Sequence, residues 1–205
     1  MDNEMMPTVQ PVKIADLRPT QMTVGFREVA LKRRQLRAKR PDKAGTFIAH
    51  HFIPTVLGPK GRCHIVDHHH LARAMHEEGL EDVFVTVICD LSGLDKEAFL
   101  VVLDNRSWMH PFDASGTRRS YADIPKSIGK LEDDPYRSLA GEVRRLGGYA
   151  KDTTPFAEFL WADFFRRRVP REVVDDDFDR ASRHAFQLAR LAGANYLPGW
   201  SGPDT

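Results

Sequence analysis

The stretch His64-Ile-Val-Asp-His-His-His-Leu-Ala-Arg-Ala74 changes its period halfway along, and that change decides the fold. Up to Val66 the pattern belongs to a strand. From Asp67 onward Leu71, Ala74 and Met75 fall at i, i+3 and i+4, the spacing of one helical face. Asp67 is predicted as the N-cap and Gly79 as the glycine beyond the C-terminus. Upstream, Ile53 to Leu57 and Arg62 to Val66 are joined by Gly58-Pro59-Lys60-Gly61, a hairpin signal. Downstream, Val83 to Ile88 is rich in β-branched residues and reads as a further strand. Ser92 to Asp95 has capping-box spacing and opens a helix through Phe99, Val102 and Leu103.

Working outward, Val12 to Leu17 reads as a short strand stopped by Arg18-Pro19. Gly25 to Arg40 reads as a helix ending before Pro41, and its thin apolar stripe (Phe26, Val29, Ala30, Leu36) places it at the surface. Ser107 to Pro135 is rich in turn formers. Asp104, Arg106, Trp108 and His110 are expected to form an ion pair with tryptophan packing. Beyond this segment the chain turns helical: Arg137 to Leu146 stops at Gly147-Gly148, Thr154-Pro155 opens a helix closed by Pro170, and Phe178, Ala181, Ala185, Leu188 and Ala192 mark a last one. Phe156, Phe159, Trp161, Phe164 and Phe165 are expected in the core. Arg166, Arg167 and Arg168 complement a helix C-terminus and can pair with Asp175 to Asp177. The expected class is α+β, a small mixed-sheet core over 1–106 followed by a mainly helical extension over 107–205 that packs on it.

Composition narrows the function classes. With 205 residues, 41% apolar and 29% charged, the chain is long enough to bury a core and too apolar to be disordered. No apolar run approaches the ~20 residues that span a bilayer, and no secretory signal is visible, so a cytoplasmic protein with no membrane partner is expected. Two cysteines cannot build a disulfide framework. Net charge is +1, so no global field favours nucleic acid. Residues 27–43, however, hold eight basic side chains against two acidic ones. Arg33, Arg34, Arg37, Lys39 and Arg40 are therefore candidates for phosphate-backbone contacts to DNA, against a solvated helix face as the plainer reading.

Seven of the nine histidines (His50, His51, His64, His68, His69, His70, His76) crowd into residues 50–76. Histidine ligates metals, but successive helical residues point about 100° apart, and neither a His-Glu-x-x-His nor a Cys-x-x-Cys pattern is present. A histidine-rich metal protein stays open as one reading. The placement of Asp67 to His70 says more. A turn leaving a strand and opening a helix offers unpaired N–H groups at the positive end of the dipole, a ready phosphate site.

These residues carry a resemblance. The box Val12-Lys-Ile-Ala-Asp-Leu-Arg-Pro-Thr-Gln21, a basic helix, a hairpin and then His64 to Ala74 resemble the ParB/sulfiredoxin superfamily, most closely its ParB-like nuclease group. Further similarity runs through Asp133-Asp-Pro-Tyr-Arg-Ser-Leu-Ala140, Phe159-Leu-Trp-Ala-Asp163 and Tyr196-Leu-Pro-Gly-Trp200, so it covers nearly the whole chain. Many relatives read Asp-Gly-His-His-Arg at the turn. Asp67, His69 and His70 match that pattern, while His68 stands at the glycine and Leu71 at the arginine. Sulfiredoxin's nucleophilic cysteine falls at His69, so sulfinate repair is not expected, and Cys63 reads as a small buried hydrophobe.

The resemblance implies a nucleotide or other phosphate-bearing small molecule at this turn, with Asp67, His69 and His70 as catalytic candidates. Arg18, Gln21, Lys43, His51, His68 and Arg73 are the phosphate- or nucleotide-binding candidates, Arg73 standing in for the missing arginine. Mg²⁺ arriving with a nucleotide is the implied cofactor, held by Asp67. Nuclease or other phosphoryl-transfer activity is one expectation; a non-enzymatic DNA-associated or scaffolding module using the basic segment is the other.

Overall fold

The computed structural model describes residues 8–38 and 52–203. Lys39, Arg40, Lys43 and His51, four of the candidates above, lie outside the described residues. By internal packing the described residues divide into two compact units: 8–23, 29–38, 52–113 and 117–132 form the first, and 24–28, 114–116 and 133–203 the second.

The first unit carries a four-stranded mixed sheet in the order β1-β5-β3-β4, with β1 Thr8–Lys13, β3 Ile53–Gly58, β4 Arg62–Ile65 and β5 Asp82–Asp90; the two-residue strand β2, Thr23–Val24, lies outside it. β3 and β4 form the expected antiparallel hairpin, β3 runs parallel to β5, and β1 pairs antiparallel with β5. Along β5, Val83, Val85 and Val87 are buried while Phe84, Thr86 and Ile88 are not, the period-two pattern of a sheet with one face covered. Helix α1 spans Phe26–Ala38, α2 His69–Glu77 and α3 Lys96–Asn105. Leu71, Ala72, Ala74 and Met75 of α2 are buried as the helical spacing requires. Phe99 and Leu103 of α3 pack with Val56 and Met109. Gly58 is needed here, because a Cβ at that position would lie 2.6 Å from the Phe99 ring and 2.8 Å from the His64 ring.

Four local expectations are corrected. β1 ends at Lys13, and Ile14–Asp16 form a 3-10 turn. Ile14 and Leu17 are both buried because a three-residue separation on such a turn puts them on one side. Asp95 rather than Ser92 caps α3, accepting the Ala98 N–H at 2.8 Å. Asp104 pairs with Arg118 and Tyr121, while the Arg106 guanidinium lies 5.0 Å from the Trp108 ring. The fourth correction, at the start of α2, belongs to the site below.

The second unit is helical: α4 Pro135–Arg145, α5 Ala157–Arg166, α6 Arg171–Asp176 and α7 Phe178–Arg190. Its centre is Trp161, fully buried, stacked on Tyr149 at 4.2 Å and flanked by Phe164 and Phe165. α5 starts two residues later than Thr154-Pro155 implies, on Phe156 in left-handed conformation. Arg166 and Arg167 pair with Asp163, and Arg166 also with Asp134; Asp175 is taken by Arg171 instead. Arg168 donates to Phe164 O at 3.1 Å instead of to a carboxylate.

Candidate functional site

β4 delivers the chain to Val66 and Asp67, and the next residue makes the corner. His68, not Asp67, is the N-cap of α2, with φ 63° and ψ 25°. Asp67 Oδ1 accepts the His68 N–H at 2.6 Å, which holds the corner but caps nothing in the helix. The His68 side chain makes no cap bond either. A histidine in left-handed backbone costs on the order of 1–2 kcal/mol. Glycine adopts this conformation without that cost. The outcome is a nine-residue helix whose N-cap residue makes no side-chain cap bond, with Asp67 and His68 exposed and His70 half-buried beside it. Such an end attracts anions through its N–H groups and its dipole.

The three matched histidine-turn residues separate by role. His69 is buried, and its Nε2 accepts the Thr20 N–H at 3.1 Å. The acceptor role puts the neutral imidazole's proton on Nδ1. Burial pushes its pKa down to about 3. The expectation of His69 as a charged phosphate donor or proton shuttle is therefore corrected: it is a neutral clamp between α2 and the N-terminal box. Asp67 and His70 remain at the turn.

The box lies directly against β4. Arg18 N–H donates to Cys63 O and Ile65 N–H to Arg18 O, each at 2.9 Å, and Thr20 Oγ1 donates to Ile65 O at 2.8 Å. Thr20 thus braces both the strand and His69. Arg18 Nη1 donates to Lys126 O, and its Nε is buried without a hydrogen-bond partner. Gln21 is buried and spends its amide nitrogen on Thr23 O at 2.7 Å. Arg18 therefore joins β4 through its backbone and Lys126 through its guanidinium, whereas the Gln21 amide is spent within the box. His64 packs on Phe99, ring centroids 4.7 Å apart, and burial lowers its pKa to about 4.

Arg73 does not replace the missing arginine. Its Nε donates to Glu77 at 2.7 Å, and its Nη1 reaches Gly129 O at 2.9 Å and Leu131 O at 2.8 Å. It tethers the 3-10 turn Ile128–Lys130. The basic helix is also partly spent: Arg33 pairs with Glu77 and Glu78 at 2.8 and 2.7 Å, and Arg37 with Glu78 at 2.8 Å. Those arginines pull the Glu78 carboxyl down to about 2. Arg34 is exposed. The expectation of five freely phosphate-facing cations is thus corrected for Arg33 and Arg37, because acids on α2 neutralise them. Among the described residues no three His, Cys, Asp or Glu side chains converge as a metal site. Cys63 is buried, as expected, and burial raises its thiol pKa.

Sequence reasoning missed Thr20, because its role needs α2 and the box side by side. It also missed the carbonyls of Lys126, Gly129 and Leu131, since backbone acceptors carry no residue-type signal.

The family model described as "Putative ParB-like nuclease" matches residues 10–167. The crystal structure of protein Atu1540 from Agrobacterium tumefaciens is 48% identical, superimposes with a TM-score of 0.91, and is covered over 97% of this chain and 100% of that one. The C-terminally truncated chromosome-partitioning protein ParB from Caulobacter crescentus, complexed with CTP-gamma-S, is 16% identical over 90% of this chain and 93% of its own, with a TM-score of 0.31. At that score the superposition carries no argument. No curated protein is detectably similar to the chain.

Proposed function

The chain belongs to the ParB-like nuclease family, and from that membership and the geometry of the β4–α2 corner we propose that it binds a phosphate-bearing ligand there. One observation carries the reading: α2 begins on a left-handed His68 with no side-chain cap, at an exposed corner. A helix whose first-turn N–H groups lack a capping side chain meets an anion with several donors and the positive end of its dipole. His70 supplies an imidazole on the same turn, and Arg18 a guanidinium from the adjoining box.

Asp67 is the residue that would hold Mg²⁺ brought in by the ligand. Its exposed carboxylate suits an ion that takes one or two protein oxygens and keeps phosphate and water for the rest. Bound Mg²⁺ would neutralise phosphate charge and so offset the repulsion between Asp67 and the ligand. For turnover the reaction class is phosphoryl transfer or phosphodiester hydrolysis, with His70 as the proton-carrying group. His69 takes no part in proton transfer in this scheme; it holds the corner's shape.

A thermal-shift series on the full chain tests this, using pyrophosphate, tripolyphosphate and nucleotides with and without Mg²⁺. Stabilisation is expected for at least one of them, reduced in His70→Ala and, for the Mg²⁺-dependent part, in Asp67→Asn. No stabilisation by any phosphate compound overturns the proposal. A salt series separates it from backbone binding through the basic helix, whose affinity falls steeply with salt, roughly in proportion to the number of phosphates neutralised.

A further inference from the structure

Two stretches of family resemblance in the helical unit, 133–140 and 159–163, are left unused by the corner, and they meet at one side chain. Arg137, on the first turn of α4, is only 7% exposed. Its Nη2 donates to Glu158 on the first turn of α5, and its guanidinium stands 4.9 Å from the Phe159 ring. Its Nε and Nη1 are buried with no hydrogen-bond partner. Arg144, two turns further along α4, bonds the other Glu158 oxygen at 2.6 Å. The Glu158 carboxylate thus bridges two guanidinia, from a side chain that is 23% exposed to solvent. Burial opposes its charge, but Arg137, Arg144 and then Lys151 hold the carboxyl below its usual range. The cluster sits at the start of a ten-residue helix whose N-cap Phe156 makes no side-chain cap bond.

We propose that Arg137, Arg144 and Lys151 form a second anion site, for a phosphate dianion, in which Glu158 is a built-in stand-in that the ligand displaces. Three cations against one carboxylate leave a surplus of two positive charges, which matches such a dianion. A carboxylate has two oxygens, and each of these already serves one guanidinium. A tetrahedral anion in its place brings further oxygens to the donors that Arg137 leaves unmet, and a buried donor is costly without an acceptor. The start of α5 adds N–H groups at the positive end of its dipole. Glu158 is partly exposed, so it turns out toward solvent as the anion enters. The site uses no residue of the β4–α2 corner and is independent of the phosphate reading there.

Amide NMR on the full chain tests this, with inorganic phosphate and methyl phosphate titrated in parallel; the tighter binder tells a free ion from a phosphomonoester. At least one of them should shift the amides of residues 157–159. Glu158→Gln removes the competing charge and should bind about tenfold more tightly, the size of one charge-assisted hydrogen bond. Arg144→Gln, at the more exposed guanidinium, should bind more weakly by about the same factor. Arg137→Lys keeps the charge and loses the planar fork, so weaker binding with an otherwise unchanged spectrum identifies recognition rather than folding as the cause. His70→Ala should leave the shifts at 157–159 as they are. No shift there in either the wild type or Glu158→Gln, or no gain in affinity from Glu158→Gln, overturns the proposal. Shifts confined to residues 69–71 and lost in His70→Ala also overturn it, because they place the ion at the corner.

Discussion

α4 and α2 both begin just after an aspartate, yet the two aspartates do different things. Asp134 is buried and accepts the N–H groups of Tyr136 and Arg137, while Arg166 pairs with its other oxygen at 2.7 Å. Burial raises the Asp134 carboxyl pKa, against the opposing pull of Arg166 and the two N–H groups. Asp67 is exposed, bonds only the N–H of the next residue, and leaves the cap to a left-handed histidine. Satisfied donors at α4 fix a core, whereas the N-cap residue of α2 makes no side-chain cap bond. Residue type alone would have ranked the two positions equally.

Asp134→Ala is the sharpest way to break this contrast. Removing a buried cap takes away the oxygen that accepts two N–H groups and leaves Arg166 with Asp163, at a cost on the order of 3–5 kcal/mol. Denaturant unfolding checks this, and Asp67→Ala in the same assay should lose less than about 1 kcal/mol. His69→Ala comes next, at about 3 kcal/mol, because it opens a cavity and strands the Thr20 N–H; phosphate binding should fall with it as the corner loosens.

Acid sensitivity follows from the same imidazole. The folded-state pKa values of His69 and His64, about 3 and 4, lie below the ordinary 6.5. Stability supplied by keeping them neutral is complete above pH 6.5 and is lost as pH falls toward those values. The slope is at most about 1.4 kcal/mol per pH unit for each histidine. Melting curves across this window should flatten in His69→Gln, and an unchanged slope would refute the buried neutral assignment.

His70→Ala should weaken phosphate binding about tenfold, the size of one charge-assisted hydrogen bond, as read by titration calorimetry. The smallest effect is expected from His68→Gly, a gain of up to about 1 kcal/mol as the left-handed strain is relieved against glycine's greater chain entropy. Binding should survive it, because the helix start stays uncapped.

Much of the architecture was legible because it rests on local periodicity. The β3–β4 hairpin, α2 with Leu71, Ala74 and Met75 inward, the valines of β5 and the aromatic centre at Trp161 all follow from spacing and turn chemistry. Helix starts were read less well: Ser92, Thr154 and Asp67 each look like caps, and the caps proved to be Asp95, Phe156 and His68. Several residues near a helix start can accept an N–H, and the backbone angle at the corner chooses among them. The corner itself was found from the sequence, but the roles within it were not. Arg73 looked like a free guanidinium until the 128–131 carbonyls claimed it, and Arg33 and Arg37 looked like a phosphate track until Glu77 and Glu78 met them.

By itself, the sequence determined which segments form strands and helices and that a strand runs into a helix at Asp67 to His70, because hydrophobic period and turn residues act over a few positions. Tertiary structure alone decided which of three adjacent histidines is buried and neutral, which arginines keep donors to spare, and that the 108–131 segment closes on the same box. Those outcomes depend on partners 40 to 110 residues away in the chain, and a side chain's charge and hydrogen bonds are set by the groups that surround it rather than by its neighbours in sequence.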